Sequence, residues 1–220
     1  MFSARAPGAE AVPGMMSLPG IRSVQRYLTV KADTPDSTLP AHLAIYPIDA
    51  ADLAATRAER TAPSHATPSS GVGQIPDVAL PYRPAGPLVL ARDVPGSSAP
   101  VMSAAGGPLE KMSLVVLSNA SKGQEAEYEA WYDQQHVPDV LRIPGFVSGQ
   151  RYVLNRALAP NAVVPKYMVV FDFETNDLEA TIADLKRRNR TGVTKMSPAF
   201  DTAGVHVYYC LRLPGSQARK

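Results

Sequence analysis

One cysteine, Cys210, occurs in 220 residues. That excludes an internal disulfide and any cysteine-rich metal centre. No apolar run reaches the ~18 residues that a membrane span needs. Residues 1–18 carry Arg5 and Glu10 and hold no continuous apolar stretch, so no secretory signal is expected and the default location is the cytoplasm. Charge of one sign is lacking too: 22 Lys and Arg face 20 Asp and Glu, a formal +2. The short basic cluster Lys186-Arg187-Arg188 with Arg190 suits a solvated helix end, and no nucleic-acid partner is expected. No G-x-G-x-x-G, phosphate loop or serine-nucleophile motif occurs, which argues against nucleotide cofactors and serine hydrolysis. The 45% apolar content is still enough to bury a core.

Proline is abundant and uneven. Fifteen of 21 prolines lie in residues 1–110, nine of them in 61–110 among Ser and Gly. The stretch 61–110 reads as a connector with one candidate strand, Leu88–Ala91.

The strongest signal is an internal repeat. Leu18-Pro19-Gly20-Ile21-Arg22-Ser23-Val24-Gln25-Arg26-Tyr27 matches Ile143-Pro144-Gly145-Phe146-Val147-Ser148-Gly149-Gln150-Arg151-Tyr152 at an offset of 125. The offset continues without a gap to Thr56 and Thr181, with 13 identities in 38 positions. Two related units are therefore expected in tandem.

The second copy, 111–213, reads as β-α-β-β-α-β, the ferredoxin-like order. Its elements are strand Met112–Ser118, helix Gly123–His136, strands Phe146–Leu154 and Lys166–Phe173, a helix capped by Asn176 or Asp177 and running to about Arg188, and strand Val205–Leu213. Pro138 disfavours helical geometry at Val137, which places the first helix end near His136. The first copy, 1–60, keeps strands Ile21–Val30 and His42–Tyr46 and the helix Ala50–Arg60. Residues 1–17 fit neither the expected first strand nor its helix, so this unit is incomplete at its N-terminus. Leu88–Ala91, a partner chain or residues upstream could fill the place. Residues 214–220 read as a tail.

Trp131-Tyr132-Asp133-Gln134-Gln135-His136-Val137-Pro138-Asp139, followed by Ile143-Pro144-Gly145-Phe146 and Gln150-Arg151-Tyr152, resembles the signature of the dimeric α+β barrel superfamily, nearest its EthD-like members. The resemblance covers 112–212 fully and 18–60 in part. It implies an α+β fold of tandem ferredoxin-like units, whose two sheets make one barrel within a chain. Its activities include isomerases, polyketide cyclases, cofactor-free monooxygenases and haem-degrading enzymes, so the fold alone does not fix chemistry.

His136 is the foremost catalytic candidate. At a helix C-terminus the macrodipole favours imidazolium, and an imidazole poised near neutrality suits acid/base work. Tyr132, four residues back, shares its face, and Asp133 could orient one ring nitrogen. The structural alternative is a helix-capping histidine. Trp131, Tyr128, Gln150, Tyr152, Tyr167 and His206 are candidates for a substrate wall, though the aromatics equally suit a core. Alternation puts Phe146, Ser148, Gln150 and Tyr152 on one strand face and Val147, Gly149 and Arg151 on the other. Because Ser-x-Gln-Arg-Tyr recurs in both copies, a structural reading of that set is preferred. His42, at the position of Tyr167 in the first copy, is a secondary candidate, and His65 falls in the connector. No metal site and no cofactor are expected. The leading expectation is cofactor-free isomerisation, cyclisation or elimination (isomerase, cyclase or lyase chemistry) on an apolar or aromatic small molecule. The rival is a non-catalytic ligand-binding or assembly protein. A haem- or oxygen-dependent monooxygenase comes third. A small-molecule substrate is the expected partner, with a homodimer as a further option.

Overall fold

Strands rich in Val, Leu, Phe and Tyr build the sheet, with buried residues along both faces of the central ones. The computed structural model describes residues 23–33, 42–48, 52, 55, 80–104 and 106–213. The fold is mixed α+β, an antiparallel sheet curled as a half-barrel with few helices. The chain divides into two compact units. Of the described residues, 23–29, 42–48, 52, 55 and 212–213 fall in the first, and 30–33, 80–104 and 106–211 in the second. No helix among them is long and apolar enough to cross a membrane.

In the first unit, β1 (Gln25–Ala32), which begins there, pairs antiparallel with β2 (His42–Ile45). Val24 and Tyr27 are buried. The Leu213 N–H donates to the Arg26 carbonyl at 3.0 Å. The expected helix Ala50–Arg60 lies outside the described residues apart from Asp52 and Ala55, as do residues 1–22.

In the second unit, the connector contributes more than one strand. Both β3 (Tyr82–Pro84) and β4 (Val89–Leu90) pair with β6 (Phe146–Leu154). The candidate strand at 88–91 therefore edges the second copy and does not fill the gap in the first. The order is β8-β5-β7-β6-β3, with β5 at Glu110–Ala120, β7 at Tyr167–Thr175 and β8 at Phe200–Arg212. The helices are α1 (Glu125–Trp131), α2 (Val137–Leu141) and α3 (Leu178–Thr191). Asp177, not Asn176, caps α3 by accepting the Ala180 N–H at 3.0 Å. Asn176 instead ties down the connector through the Ser103 N–H and carbonyl. Gly192, at φ 74°, closes α3 in the left-handed region that favours glycine.

The helix carrying His136 does not end there. A π turn, Tyr132–His136, links α1 to α2, and backbone angles stay helical through Val137 to Leu141. The Val137 N–H reaches the Tyr132 carbonyl, five residues back. Pro138 offers no N–H, and its ring would crowd the carbonyl four residues back in a regular helix. The wider turn absorbs that conflict, which is why helical geometry survives before a proline.

Paired residues of an antiparallel sheet point to the same side. One face carries Met112, Leu114, Tyr167, Val169, Phe171, Phe173, Arg151, Val153 and Tyr209, and the helices pack on it to form the core. The opposite face reads in three rows: Ser148, Asp172, Ser113, Cys210; Gln150, Val170, Val115, Tyr208; Tyr152, Met168, Leu117, His206. Simple alternation placed Phe146 with Ser148. A register shift between them sends Phe146 to the core face, stacked 5.0 Å from Phe173, and leaves Val147 exposed.

The repeat has a structural counterpart in the hairpins. Gln25, Arg26, Tyr27 and Leu28 pair with Ile45, Ala44, Leu43 and His42. Gln150, Arg151, Tyr152 and Val153 pair with Val170, Val169, Met168 and Tyr167, the same register 125 residues on.

Candidate functional site

The predicted site residues separate onto the two sides of the second unit's sheet. Tyr128, Trp131, Tyr132, His136 and Tyr167 are buried on the helix side. Gln150, Tyr152 and His206 lie on the opposite face. They do not line one pocket. His42 sits in β2 opposite Leu28, and its side chain is outside the described residues.

On the helix side, His136 is 8% exposed. Its ring lies 4.4 Å from Trp131 and 5.0 Å, edge to face, from Tyr132, measured between centroids. Nδ1 is buried with no hydrogen-bond partner. Burial pushes its pKa from 6.5 down to about 3, so the imidazole is neutral at pH 7. The favourable helix-end field expected for His136 is absent, because the helix continues past it.

Asp133 does not orient His136. Its half-exposed carboxylate pairs with the Arg151 guanidinium, which is buried. Arg151 also donates to the Glu129 carbonyl at 3.1 Å and lies over the Tyr132 ring, 5.3 Å from its centroid. Its Nη2 has no partner. The π turn gives the physical reason: an added residue per turn rotates Asp133 away from His136 and toward β6.

The aromatics are tied to the framework. The Tyr128 hydroxyl shares a 2.7 Å hydrogen bond with Ser118 Oγ, and its ring lies 4.9 Å from Tyr132. Burial raises both phenols, Tyr132 to about 12, so neither ionises near neutrality. Trp131 Nε1 donates to the Lys195 carbonyl at 2.8 Å, and the Tyr167 hydroxyl to Glu129 Oε1 at 2.9 Å.

The recurring glutamines also have a local task. Gln150 Nε2 donates to the Arg151 carbonyl (3.0 Å) and the Gly86 carbonyl (2.9 Å), binding β6 to the bend between β3 and β4. Gln25 Nε2 makes the matching bonds to the Arg26 and Leu213 carbonyls at 2.9 and 3.3 Å.

Sequence reasoning passed over Asp172 and Arg151. Asp172 is half-buried on the face away from the helices, where Ser113 Oγ donates to Oδ1 at 2.6 Å and Ser148 Oγ reaches Oδ2 at 3.5 Å. Tyr152 lies on that face, and burial, then the Asp172 charge, raises its pKa. The available signal was an acid between Phe171 and Phe173, after the apolar run Tyr167–Phe171. His206 stacks on Tyr208 at 6.4 Å.

Two open clefts lie among the described residues of the second unit. One, about 360 Å³, lies between Leu90–Arg92, residues 97–100 and the Gly145 turn. The other, about 430 Å³, lies between the 156–165 loop and β8 and includes His206. Neither is lined by His136, Tyr132 or Trp131. Among the described residues no three His, Cys, Asp or Glu side chains gather as metal ligands.

No family model matches the chain. No curated protein or solved structure matches it either.

Proposed function

We propose that the chain is a non-catalytic ligand-binding protein built as a tandem dimeric α+β barrel, with His136 as part of its core. The fold reading is supported by the identical hairpin registers and by the order β8-β5-β7-β6, which fits a β-α-β-β-α-β unit. A further parallel is that Ala85 N–H meets the Arg151 carbonyl as Leu213 N–H meets that of Arg26.

The observation that carries the functional reading is the burial of His136, which lines neither of the two clefts. An acid/base must reach its substrate and exchange a proton near the working pH. A neutral imidazole packed between Trp131 and Tyr132 does neither. The enzyme reading keeps one supporting observation, the π turn with its unpartnered Nδ1, since such turns recur at functional sites.

Carbethoxylation by diethyl pyrocarbonate, mapped by mass spectrometry on the folded chain, tests the choice. The expected product is modification at His206 with His136 spared. Modification of His136 as fast as His206 would return it to the active-site role.

A further inference from the structure

We propose that the cleft between the 156–165 loop and β8 binds a small organic carboxylate with an apolar body. This rests on the ligand-binding reading above and assigns that ligand a place and a chemistry.

The cleft exists because β8 departs from its register. Leu117 pairs with His206 and Asn119 with Asp201, so four residues, 202–205, lie opposite Ser118 alone. Bulges of this kind re-aim side chains and recur beside binding sites. Here the excursion leaves Gly204 and His206 on one wall. Space remains at Gly204: a Cβ there would come no nearer than 3.8 Å to a neighbour, Asn119 Nδ2.

The polar groups around this space are chiefly donors. Asn119 Oδ1 accepts the Lys166 N–H at 2.8 Å, which fixes the amide and leaves Nδ2 beside Gly204. Arg156 is the sole charged residue lining the cleft. It donates to the Ala162 and Val164 carbonyls, so two loop acceptors are occupied while further guanidinium N–H groups remain. Asp201, the acid paired opposite Asn119, accepts the Ala203 N–H and does not line the cleft. Donors with one fixed positive charge select an anion, and a guanidinium fits a carboxylate. The opposite wall is apolar, with Pro165 buried, Val164 half-buried and Val163 almost fully exposed. A bound apolar body would cover Val163 and gain its burial. The volume, about 430 Å³, suits a small aromatic or aliphatic acid.

The test is an NMR titration of the full chain with benzoate, with benzamide as the neutral counterpart and inorganic phosphate as a second anion. Benzoate in the millimolar range should shift the resonances of Asn119, Gly204 and His206 and leave Arg92, beside the other cleft, unmoved. Gly204→Leu fills the space without removing a polar contact and should weaken benzoate at least about 10-fold. His206→Ala is a second variant, independent of any effect of leucine on the bulge, and should weaken it several-fold. Arg92→Ala should bind as wild type does. Absence of benzoate shifts at these residues overturns the proposal. So does equal binding of benzamide, phosphate binding in place of benzoate, or binding untouched by both cleft variants. The carbethoxylation pattern of His136 is a separate readout, so a silent cleft with a protected His136 removes this inference alone.

Discussion

The two faces of the second unit's sheet treat their polar groups in opposite ways. On the helix side, Arg151 and His136 are buried with a nitrogen each left unpartnered, among rings that Ser118, Glu129 and the Lys195 carbonyl hold in place. On the far face, a half-buried carboxylate is held by two serine hydroxyls, and a histidine stands at an open cleft. A histidine that looks catalytic in sequence can therefore be core, while a less conspicuous one borders open space. Burial and access, not residue type, separate them.

That contrast can be broken by substitution. The largest effect is expected at Trp131→Ala, which opens a void on the helix side and should cost about 3–5 kcal/mol in urea unfolding. His206→Ala, on the far face, should stay within about 0.5 kcal/mol of wild type. Similar losses at both sites would erase the distinction.

Asp133→Ala comes next. It leaves the buried Arg151 cation without its counter-charge. Because the Asp133 side chain is half exposed, the loss should be about 2 kcal/mol, less than for a fully buried pair. Arg151→Met, which fills the space with an apolar chain and strands only a solvated carboxylate, should cost less. The order of the two urea midpoints is the check.

Ser113→Ala removes the 2.6 Å bond to Asp172 and should cost about 1 kcal/mol. His136→Leu should be neutral or slightly stabilising at pH 7, because it deletes a buried atom that has no partner. Its larger signature lies in pH dependence. The unfolded chain takes a proton at His136 near pH 6.5, whereas the folded chain resists until about pH 3. Stability from this site is complete above pH 6.5, declines as pH falls, and is fully lost near pH 3, at about 1.4 kcal/mol per pH unit in between. His136→Leu should flatten that part of the acid limb in denaturant melts.

Much of the architecture was legible from residues alone. The 125-residue offset foretold the matched hairpins, and alternation in Tyr167–Phe173 identified the core face of β7. The failures have local causes. Pro138 ends a regular helix, but a π turn lets it continue, and that extra residue moved Asp133 off His136 and onto Arg151. One register shift at Val147 reversed the side of Phe146. Two-residue and 3.6-residue periods carry no sign of an inserted residue, so the set drawn as one pocket fell on two faces. Asp172 was visible as an acid flanked by Phe171 and Phe173, but its serine partners come from two other strands that pattern reading cannot pair.

His136, sealed and neutral, is what sets the helix side apart. The direct measurement is the NMR titration of its imidazole carbons, assigned with His136→Leu, from about pH 5 to pH 8. Resonances that stay at the neutral position throughout are the predicted result. A titration midpoint near 6.5, with the fold intact, would contradict it and restore His136 as an acid/base.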